Sequence, residues 1–409
     1  MTQAPAIRTL LPGSDEFATL LSEIAAGAKD RDLNDENPFD QVAALKRAGF
    51  GTLRLPAEFG GPGLSVRQLF STIIDVAQAD PIVAHIFRTH FWFVEERLRA
   101  LRIDPDDAVS KRWIDEVKAG RLFANAFSEK GSLAVGSLVF NTRLLPVDGG
   151  GFRLDGEKFY STGTLFSDYL TVTATTDHDS VANVIVPADR TGVRLIDDWD
   201  GFGQRRTGTG TTKFDNVAVA ADEILVDTPY DAEPTATVQY SSLQLYIHAI
   251  VAGVLASIVD DGVALLRSRT RSFSHAITER PVDDPLYQKL LGELAATAYI
   301  AKAAVLDAAD AIGAATDSID ASGIPDATLA VQAQLKVAKV KVHLDDVAPE
   351  AATRLLELGG ASAASRQRNL DRHWRNIRTI TLHNPVAYKA RVIGENLLHG
   401  TPIPANAYF

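Results

Sequence analysis

The chain has 409 residues, of which 46% are hydrophobic and 23% charged, so it can bury a large core and is neither disordered nor fibrous. It contains no cysteine, which excludes disulfides, thiolate nucleophiles, zinc–cysteine sites and iron–sulfur clusters. Its formal net charge of −11 argues against an extended nucleic-acid surface. No apolar run reaches about 18 residues and no signal pattern opens the chain, so we expect no membrane span and a cytoplasmic location.

Hydrophobic periodicity divides the chain into three parts. Apolar positions three and four residues apart predict helices over residues 17–26, 42–50, 66–79 and 82–101. Short β-branched and aromatic runs predict strands over residues 152–160, 169–176, 183–186 and 211–219. Long alanine-rich segments predict helices over residues 241–267, 287–316 and 327–358, with a last helix after Pro385.

This order predicts an α+β fold that is mainly α. We expect an N-terminal helical domain at residues 1–121, a middle β-domain at residues 122–235 and a C-terminal four-helix bundle at residues 236–409. A doubly wound nucleotide-binding fold would alternate strands and helices and open with a glycine-rich turn, and neither feature is present.

The stretch His-Ile-Phe-Arg-Thr-His-Phe-Trp-Phe at residues 85–93 places histidine and aromatic side chains on one helix face. One hypothesis makes Phe87, Phe91 and Trp92 the wall of a pocket for a flat apolar ligand, with His90 as its titratable group. The other makes the same residues an aromatic core seam around a hydrogen-bonded histidine, because apolar stripes on helices usually face the core.

Two polar segments flank predicted strands. Asn125 and Ser128 offer hydrogen-bonding side chains to a polar heterocycle. At residues 156–163 a strand runs into a Ser-Thr-Gly turn, which could place Ser161 or Thr162 against a planar cofactor with Tyr160 beside it. Ordinary turn chemistry explains the same residues equally well.

The C-terminal part holds a basic segment and a histidine. Residues 366–378 contain five arginines, Arg372 among them, against a single acid. Such a face suits a phosphate, the acids of a neighbouring subunit, or solvent. His383 lies where one helix ends and the next begins, a position that suits either an anionic ligand or simple packing. The nine histidines show no metal-ligand spacing, so we expect no metal site.

The residues Leu55-Pro-Ala-Glu-Phe-Gly-Gly-Pro-Gly63, the segment 156–163 and Gly359-Gly360, in the order α, β, α, resemble the acyl-CoA dehydrogenase superfamily nearly end to end. Within it, four segments resemble the flavin monooxygenase branch, in particular the dibenzothiophene monooxygenase and sulfur-acquisition groups. They are His90-Phe-Trp-Phe93, residues 125–129, residues 197–201, and residues 371–379 with His383-Asn-Pro385.

The departure from true dehydrogenases is informative. Those enzymes need a carboxylate base, whereas residues 378–385 contain no acid and Gln244 stands at the alternative position on the bundle helix. The resemblance therefore implies a two-component monooxygenase. A separate flavin reductase supplies reduced FMN, with FAD as the alternative, and O2 converts it to a C4a-hydroperoxide that oxygenates sulfur, nitrogen or aromatic carbon of a small substrate.

The resemblance also implies roles for individual residues and a homotetramer. The flavin ring is expected near Asn125, Ser128, Ser161, Thr162 and Trp199, and the flavin phosphate near Arg271 of a neighbouring subunit, with Arg269 and Arg372 as further candidates. The catalytic residues are expected to be His383, His90 and Thr162.

Two other functions compete with this interpretation. The first is an acyl-CoA dehydrogenase that uses Glu95, Glu129 or Asp371 as its base, and the second is a non-catalytic flavin-fold scaffold.

Overall fold

The computed structural model describes residues 7–130, 139–178, 180–229, 238–404 and 409. The helices are α1 (Asp15–Asn34), α2 (Phe39–Arg47), α3 (Val66–Ala79), α4 (Pro81–Ile86), α5 (Arg88–Ile103), α6 (Ala108–Lys118), α7 (Val238–Ser268), α8 (Pro285–Asp317), α9 (Ala327–Leu355), α10 (Asp371–Thr381) and α11 (Val386–His399). The strands are β1 (Phe123–Ala126), β2 (Arg143–Pro146), β3 (Phe152–Lys158), β4 (Tyr169–Thr175), β5 (Ser180–Pro187), β6 (Val193–Ile196), β7 (Thr211–Val219) and β8 (Ile224–Pro229). The predicted fold class, α+β and mainly α, is confirmed.

Local capping explains where the N-terminal helices begin. Ser65 and Gln68 form a reciprocal capping box at the start of α3, and the carboxylate of Asp80 accepts two backbone N–H groups at the start of α4. The helix predicted over residues 82–101 is in fact two helices, α4 and α5. The break is at Phe87, whose N–H turns back to the carbonyls of Ala84 and His85.

The middle strands form one mixed sheet with the order β6-β7-β3-β2-β4-β5-β8, and β1 pairs in parallel with β4. Most neighbours are antiparallel, as expected for strands joined by short turns. Beyond the ladders, Ser128 pairs with Phe159 as an isolated bridge. The chain that leaves β1 therefore lies beside the chain that leaves β3.

The main core is shared between the first and last parts of the chain. It joins α3 side chains such as Phe70 and Ile73 to α7 side chains such as Leu245 and Ile250. A separate, smaller core lies in the sheet. The predicted limits at residues 121 and 235 stay predictions, and the second one lies outside the described residues.

The long helix α7 is more apolar than the search for uninterrupted apolar runs indicated. Among the described residues it is long and apolar enough to cross a membrane, although 61% of its most hydrophobic window is buried inside the protein. A core helix packed on several sides is apolar all round, so it passes the same compositional test as a membrane span.

Candidate functional site

Two loops of the middle part meet beside the α4–α5 break. The N–H of Ser161 donates to the carbonyl of Gly210 at 3.3 Å, and the N–H of Gly163 donates to that of Thr207 at 2.9 Å. Gly163 has a φ of +86°, and a Cβ there would lie 2.7 Å from the carbonyl oxygen of Ile86. Glycine is thus required for the loop at residues 160–163 to rest on the end of α4.

The predicted flavin-ring residues come together around these loops. The backbone N–H of Asn125 donates to Oγ1 of Thr89, and the carbonyl of Ser128 accepts from the N–H of Phe159 at 2.7 Å. Phe159 leads into Ser161 and Thr162. Strands β1 and β3 therefore bring four of the five predicted residues, all except Trp199, to one edge of the sheet.

Trp199 and Tyr160 complete this edge. Their rings pack edge to face with centroids 5.8 Å apart, and the indole Nε1–H of Trp199 donates to the carbonyl of Gly203 at 3.2 Å. Tyr160 is 63% exposed and has a φ of +53°. The pair therefore presents accessible aromatic surface, chiefly the ring of Tyr160, beside the loop of residues 160–163.

Buried polar atoms at this edge lack partners. Among the described residues, Oδ1 of Asn125 and Oγ of Ser161 are buried and make no hydrogen bond. An unpaired buried polar atom costs about 1–3 kcal/mol, so such atoms fit a polar ligand that satisfies them. A flavin ring, with donors and acceptors along one edge, fits this requirement.

His85 and Gln204 belong to the same region, although sequence reasoning assigned no role to either. Nδ1 of His85 lies 2.9 Å from Oε1 of Gln204, so Nδ1–H donates and Nε2 remains an acceptor. Burial, together with the nearby Arg88 cation, lowers the pKa of His85 to about 4. The backbone N–H of Gln204 in turn donates to Oδ1 of Asn376 on α10. No motif signals this pair, because its members are 119 positions apart.

His383 lies close enough to Arg88 and His85 for both groups to act on its protonation. Its side chain is exposed, yet the surrounding protein lowers its pKa well below the usual value, assisted by the positive charge of Arg88. The guanidinium of Arg88 is held by a 3.0 Å hydrogen bond from Nε to the carbonyl of Leu243 on α7. His383 is therefore neutral at neutral pH, able to accept a proton or a hydrogen bond.

A buried polar network supports the turn that carries His383. Nζ of Lys341 donates to the carbonyl of Thr381 at 3.2 Å and pairs with Asp345 at 2.6 Å. Nε2 of His248 lies 3.3 Å from the other carboxylate oxygen of Asp345. Helices α7, α9 and α10 are joined by this network, which fixes the end of α10.

The predicted pocket wall at residues 87–93 is instead core. The rings of Phe87 and Phe91 are buried and pack edge to face on Phe50, with centroids 5.0 and 5.2 Å from it. Trp92 is half-buried against the cluster that surrounds Phe93. The prediction that Phe87, Phe91 and Trp92 line a substrate pocket is therefore wrong, because Phe87 and Phe91 fill the main core and Trp92 packs on the cluster around Phe93.

His90 is a structural residue. Its Nε2–H donates to the carbonyl of Gly51 at 2.9 Å, and its Nδ1 accepts the N–H of Phe123 at 3.3 Å. Both ring nitrogens are thus used by the backbone, and burial lowers the pKa of the ring to about 4. The predicted catalytic role of His90 is replaced by a structural one. The ring ties α5 to the segment that follows α2, at Gly51, and to β1.

The basic segment at residues 366–378 is held by acids of its own chain. Arg372 pairs with Asp261 at 2.6 Å, and Arg375 pairs with Asp32 at 2.7 Å. Nε2 of His373 lies 2.8 Å from the same carboxylate, and because burial lowers the pKa of His373 to about 4, the neutral ring donates a hydrogen bond to Asp261. The prediction that Arg372 binds a flavin phosphate is wrong, because its guanidinium is committed to a carboxylate within the fold.

The two remaining phosphate candidates differ in position. Arg269 donates to the carbonyl of Leu358 at 2.6 Å and lies over the ring of Tyr287, so it fastens the end of α7 to its own bundle. Arg271 is exposed on the loop between α7 and α8. Of the two, Arg271 is the one exposed to solvent, and Arg269 is half-buried.

The three carboxylates proposed as dehydrogenase bases are all in ion pairs. Glu95 pairs with Arg54, and Asp371 pairs with Arg375. Glu129 is buried, pairs with Lys158 at 2.7 Å and also accepts two backbone N–H groups. Gln244 is a neutral amide whose Oε1 accepts from Nδ2 of Asn384. A carboxylate held in an ion pair is a poor proton acceptor, because protonation would break the pair, and for Glu129 the hydrogen bonds from Lys158 and Thr142 lower the pKa despite burial.

Comparison with known proteins gives the same family in two parts of the chain. Residues 124–217 match the model of the acyl-CoA dehydrogenase middle domain, and residues 245–388 match that of the acyl-CoA dehydrogenase C-terminal domain. Dibenzothiophene monooxygenase from Mycolicibacterium goodii is 28% identical over 395 residues, 92% of this chain and 91% of that protein. The "Probable FMNH2-dependent monooxygenase SfnC" from Pseudomonas putida is 27% identical and covers 92% of each chain.

A solved structure extends the likeness to three dimensions. The complex of TdsC from Paenibacillus sp. A11-2 with FMN and indole has a TM-score of 0.85 and 28% identity, and the match covers 97% of this chain and 100% of that one.

Proposed function

Because the chain belongs to the acyl-CoA dehydrogenase family, we propose that it acts as a two-component flavin-dependent monooxygenase. It uses FMN reduced by a separate flavin reductase, together with O2, to oxygenate a small apolar organosulfur or amine substrate. Relatives that are named as dibenzothiophene and FMNH2-dependent monooxygenases support the reaction class and the cofactor. The FMN-bound relative supports FMN over FAD.

One observation from the site carries the choice between oxygenation and desaturation. At the positions where the family's dehydrogenases keep a carboxylate base, this chain has the amide of Gln244 and the neutral imidazole of His383. Desaturation of an acyl thioester would have no base there. Oxygenation instead requires a dry site in which one group controls a proton, and His383 suits that role.

The residues at the sheet edge would hold the FMN ring. Asn125 and Ser161 supply buried polar atoms that need partners, Thr162 and Ser128 border them, and Trp199 with Tyr160 provides aromatic surface. When bound, reduced FMN supplies the electrons that activate O2. The protein's own contribution is to orient the ring, to exclude water and to place His383 beside the reacting region.

The enzyme works as a homo-oligomer in which Arg271 of one subunit reaches the FMN phosphate of another. Large apolar side chains are exposed on three elements, the loop after α7 (Phe273 and Ile277), α8 (Tyr299) and α11 (Leu397 and Leu398). Surface of this kind marks protein interfaces. The expected assembly is a tetramer, and sedimentation with bound FMN tests it. Monomers that retain FMN, or an Arg271→Ala variant with unchanged FMN affinity, would exclude the shared site.

The function is tested by turnover with reduced FMN under 18O2, with dibenzothiophene and indole as probe substrates. Product carrying one labelled oxygen, formed only when both reduced FMN and O2 are present, is expected. In the His383→Ala variant, O2 consumption should continue while product per O2 falls about a hundredfold or more, the low end of the range for loss of a proton-transfer group. His90→Gln serves as the control and should retain coupling if it folds.

Two outcomes favour the alternatives. Anaerobic bleaching of bound oxidised FMN by an acyl-CoA would support desaturation. FMN binding without oxygen incorporation, over a broad panel of sulfur and nitrogen compounds, would support a non-catalytic role.

A further inference from the structure

Three threonine hydroxyls form a continuous chain of hydrogen bonds at the edge of the proposed flavin site. Oγ1 of Thr162 lies 2.8 Å from Oγ1 of Thr209, which lies 2.6 Å from Oγ1 of Thr207. Oγ1 of Thr207 then lies 2.8 Å from the backbone carbonyl oxygen of Gln204. All four residues belong to the two loops that backbone hydrogen bonds hold together.

The end of this chain fixes its direction. A carbonyl oxygen only accepts, and each hydroxyl has one proton to donate. The proton of Thr207 therefore goes to Gln204, that of Thr209 goes to Thr207, and that of Thr162 goes to Thr209. As a consequence, the hydroxyl of Thr162 has only lone pairs to offer to any other neighbour.

The surroundings keep this order in place. Thr207 and Gln204 are buried, so solvent does not compete for their hydrogen bond. Thr162 and Thr209 are half-buried. The N–H of Gly163 donates to the carbonyl of Thr207 at 2.9 Å and so prevents the two loops from sliding past each other.

We propose that Thr207 and Thr209 hold Thr162 as a hydrogen-bond acceptor, and that this makes the site bind reduced flavin in preference to oxidised flavin. The inference rests on the proposed function. N5 of reduced flavin carries a hydrogen and donates, whereas N5 of oxidised flavin has only a lone pair. The acceptor-only hydroxyl of Thr162 can pair with the N5–H of reduced flavin. It leaves N5 of oxidised flavin without a donor, which lowers the affinity for the oxidised form. Thr207 and Thr209 are thus positioning residues that act through Thr162.

Such a preference has a use in a two-component system. The protein must capture reduced flavin released by the reductase and let oxidised flavin leave after turnover. A site that distinguishes the two forms by one hydrogen bond does both without any change of conformation. The distinction is built into the resting protein, because the direction of the hydroxyl chain is set before flavin binds.

The test is the ratio of dissociation constants for oxidised and reduced FMN, each measured anaerobically by titration calorimetry. Thr207→Val and Thr209→Val keep the side-chain shape and break the chain at different points. In each variant the Thr162 proton is released and can turn to oxidised FMN. The ratio should fall by roughly three- to tenfold relative to the wild-type protein, the worth of one neutral hydrogen bond. Thr207→Ser and Thr209→Ser retain the hydroxyls and should restore the wild-type ratio.

The midpoint potential of bound FMN provides an independent readout, because it shifts by about 30 mV for each tenfold change in the ratio. An unchanged ratio in both folded valine variants, with the fold checked by thermal melting, would overturn the proposal, as would equal affinity of the wild-type protein for the two forms. A wild-type protein that binds neither form would overturn the proposed function, and this inference with it. The two failures are therefore distinguishable.

Discussion

Asn384 donates a hydrogen bond from its side-chain amide to Oε1 of Gln244, 3.0 Å away in the protein interior and directly beside His383 in the chain. The bond joins α7 to the turn between α10 and α11. This bond between two neutral amides therefore ties the turn that carries His383 to the bundle.

Breaking this amide pair should destabilise the protein. Gln244→Leu and Asn384→Leu are each expected to lower the free energy of unfolding by about 1–3 kcal/mol, because each leaves a buried polar group without this partner. The double variant should lose less than the sum of the two. Urea unfolding of all four proteins measures the coupling, and strictly additive losses would contradict it.

The buried ion pair beneath the His383 turn predicts a larger effect. The side chains of Lys341 and Asp345 are 2% and 5% exposed. Asp345→Ala leaves a buried ammonium without its main counter-charge, and we expect a loss of about 3–5 kcal/mol. A Lys341→Met, Asp345→Leu double variant should recover most of it.

An exposed pair is the control for that experiment. Lys336 and Asp307 lie 2.8 Å apart, with side chains 41% and 63% exposed. Asp307→Ala is expected to change the free energy of unfolding by less than about 1 kcal/mol. Equal losses from Asp345→Ala and Asp307→Ala would show that burial does not govern the pair at Lys341.

His90 predicts a pH dependence of stability. Its pKa is about 4 in the folded protein and 6.5 in the unfolded chain. Above pH 6.5 the ring is neutral in both states and its contribution is intact. As the pH falls from about 6.5 to about 4, the unfolded chain takes up a proton that the folded protein excludes. Stability therefore falls, by up to about 1.4 kcal/mol per pH unit for this group.

A His90→Gln variant measures the contribution of His90 to this pH dependence. It should be less stable than the wild-type protein at pH 7 and should lose stability less steeply between pH 6.5 and pH 4. Denaturant midpoints at a series of pH values give both quantities. Parallel curves for the two proteins would show that His90 already takes up a proton in the folded state.

Gly163 predicts a local steric effect on the FMN site. In Gly163→Ala the new methyl group would meet the carbonyl oxygen of Ile86 at 2.7 Å, so the loop of residues 160–163 must move. Gly150→Ala is the matched control, because Gly150 has a φ of +99° and open space around its Cβ position. Both variants carry the cost of the left-handed backbone, roughly 1 kcal/mol, but only Gly163→Ala should also weaken FMN binding. Calorimetry with FMN and thermal melting separate the two effects, and equal FMN affinity in both would place the flavin away from this loop.

The sequence by itself determined the fold class and much of the element order. Helix α3 has the predicted bounds, residues 66–79, because its amphipathic period and its capping box are local signals. The candidate flavin residues at the sheet edge stay a prediction, since hydroxyls and glycine at a strand end also fit an ordinary turn and only the resemblance assigns them to flavin. Resemblance to the family supplied the flavin chemistry that periodicity and spacing do not encode.

Only the tertiary structure decided which face of a helix is the core and which polar groups already have partners. Phe87, Phe91 and His90 repeat at helical spacing whether they line a pocket or fill the interior, and the structure places them against Phe50 and the backbone of Gly51 and Phe123.

Charges follow the same rule, since Arg372 is available to a phosphate only if no acid such as Asp261 packs beside it. Contacts between residues more than 100 positions apart, such as His85 with Gln204, depend on how the chain folds back on itself. Local sequence patterns carry no record of them.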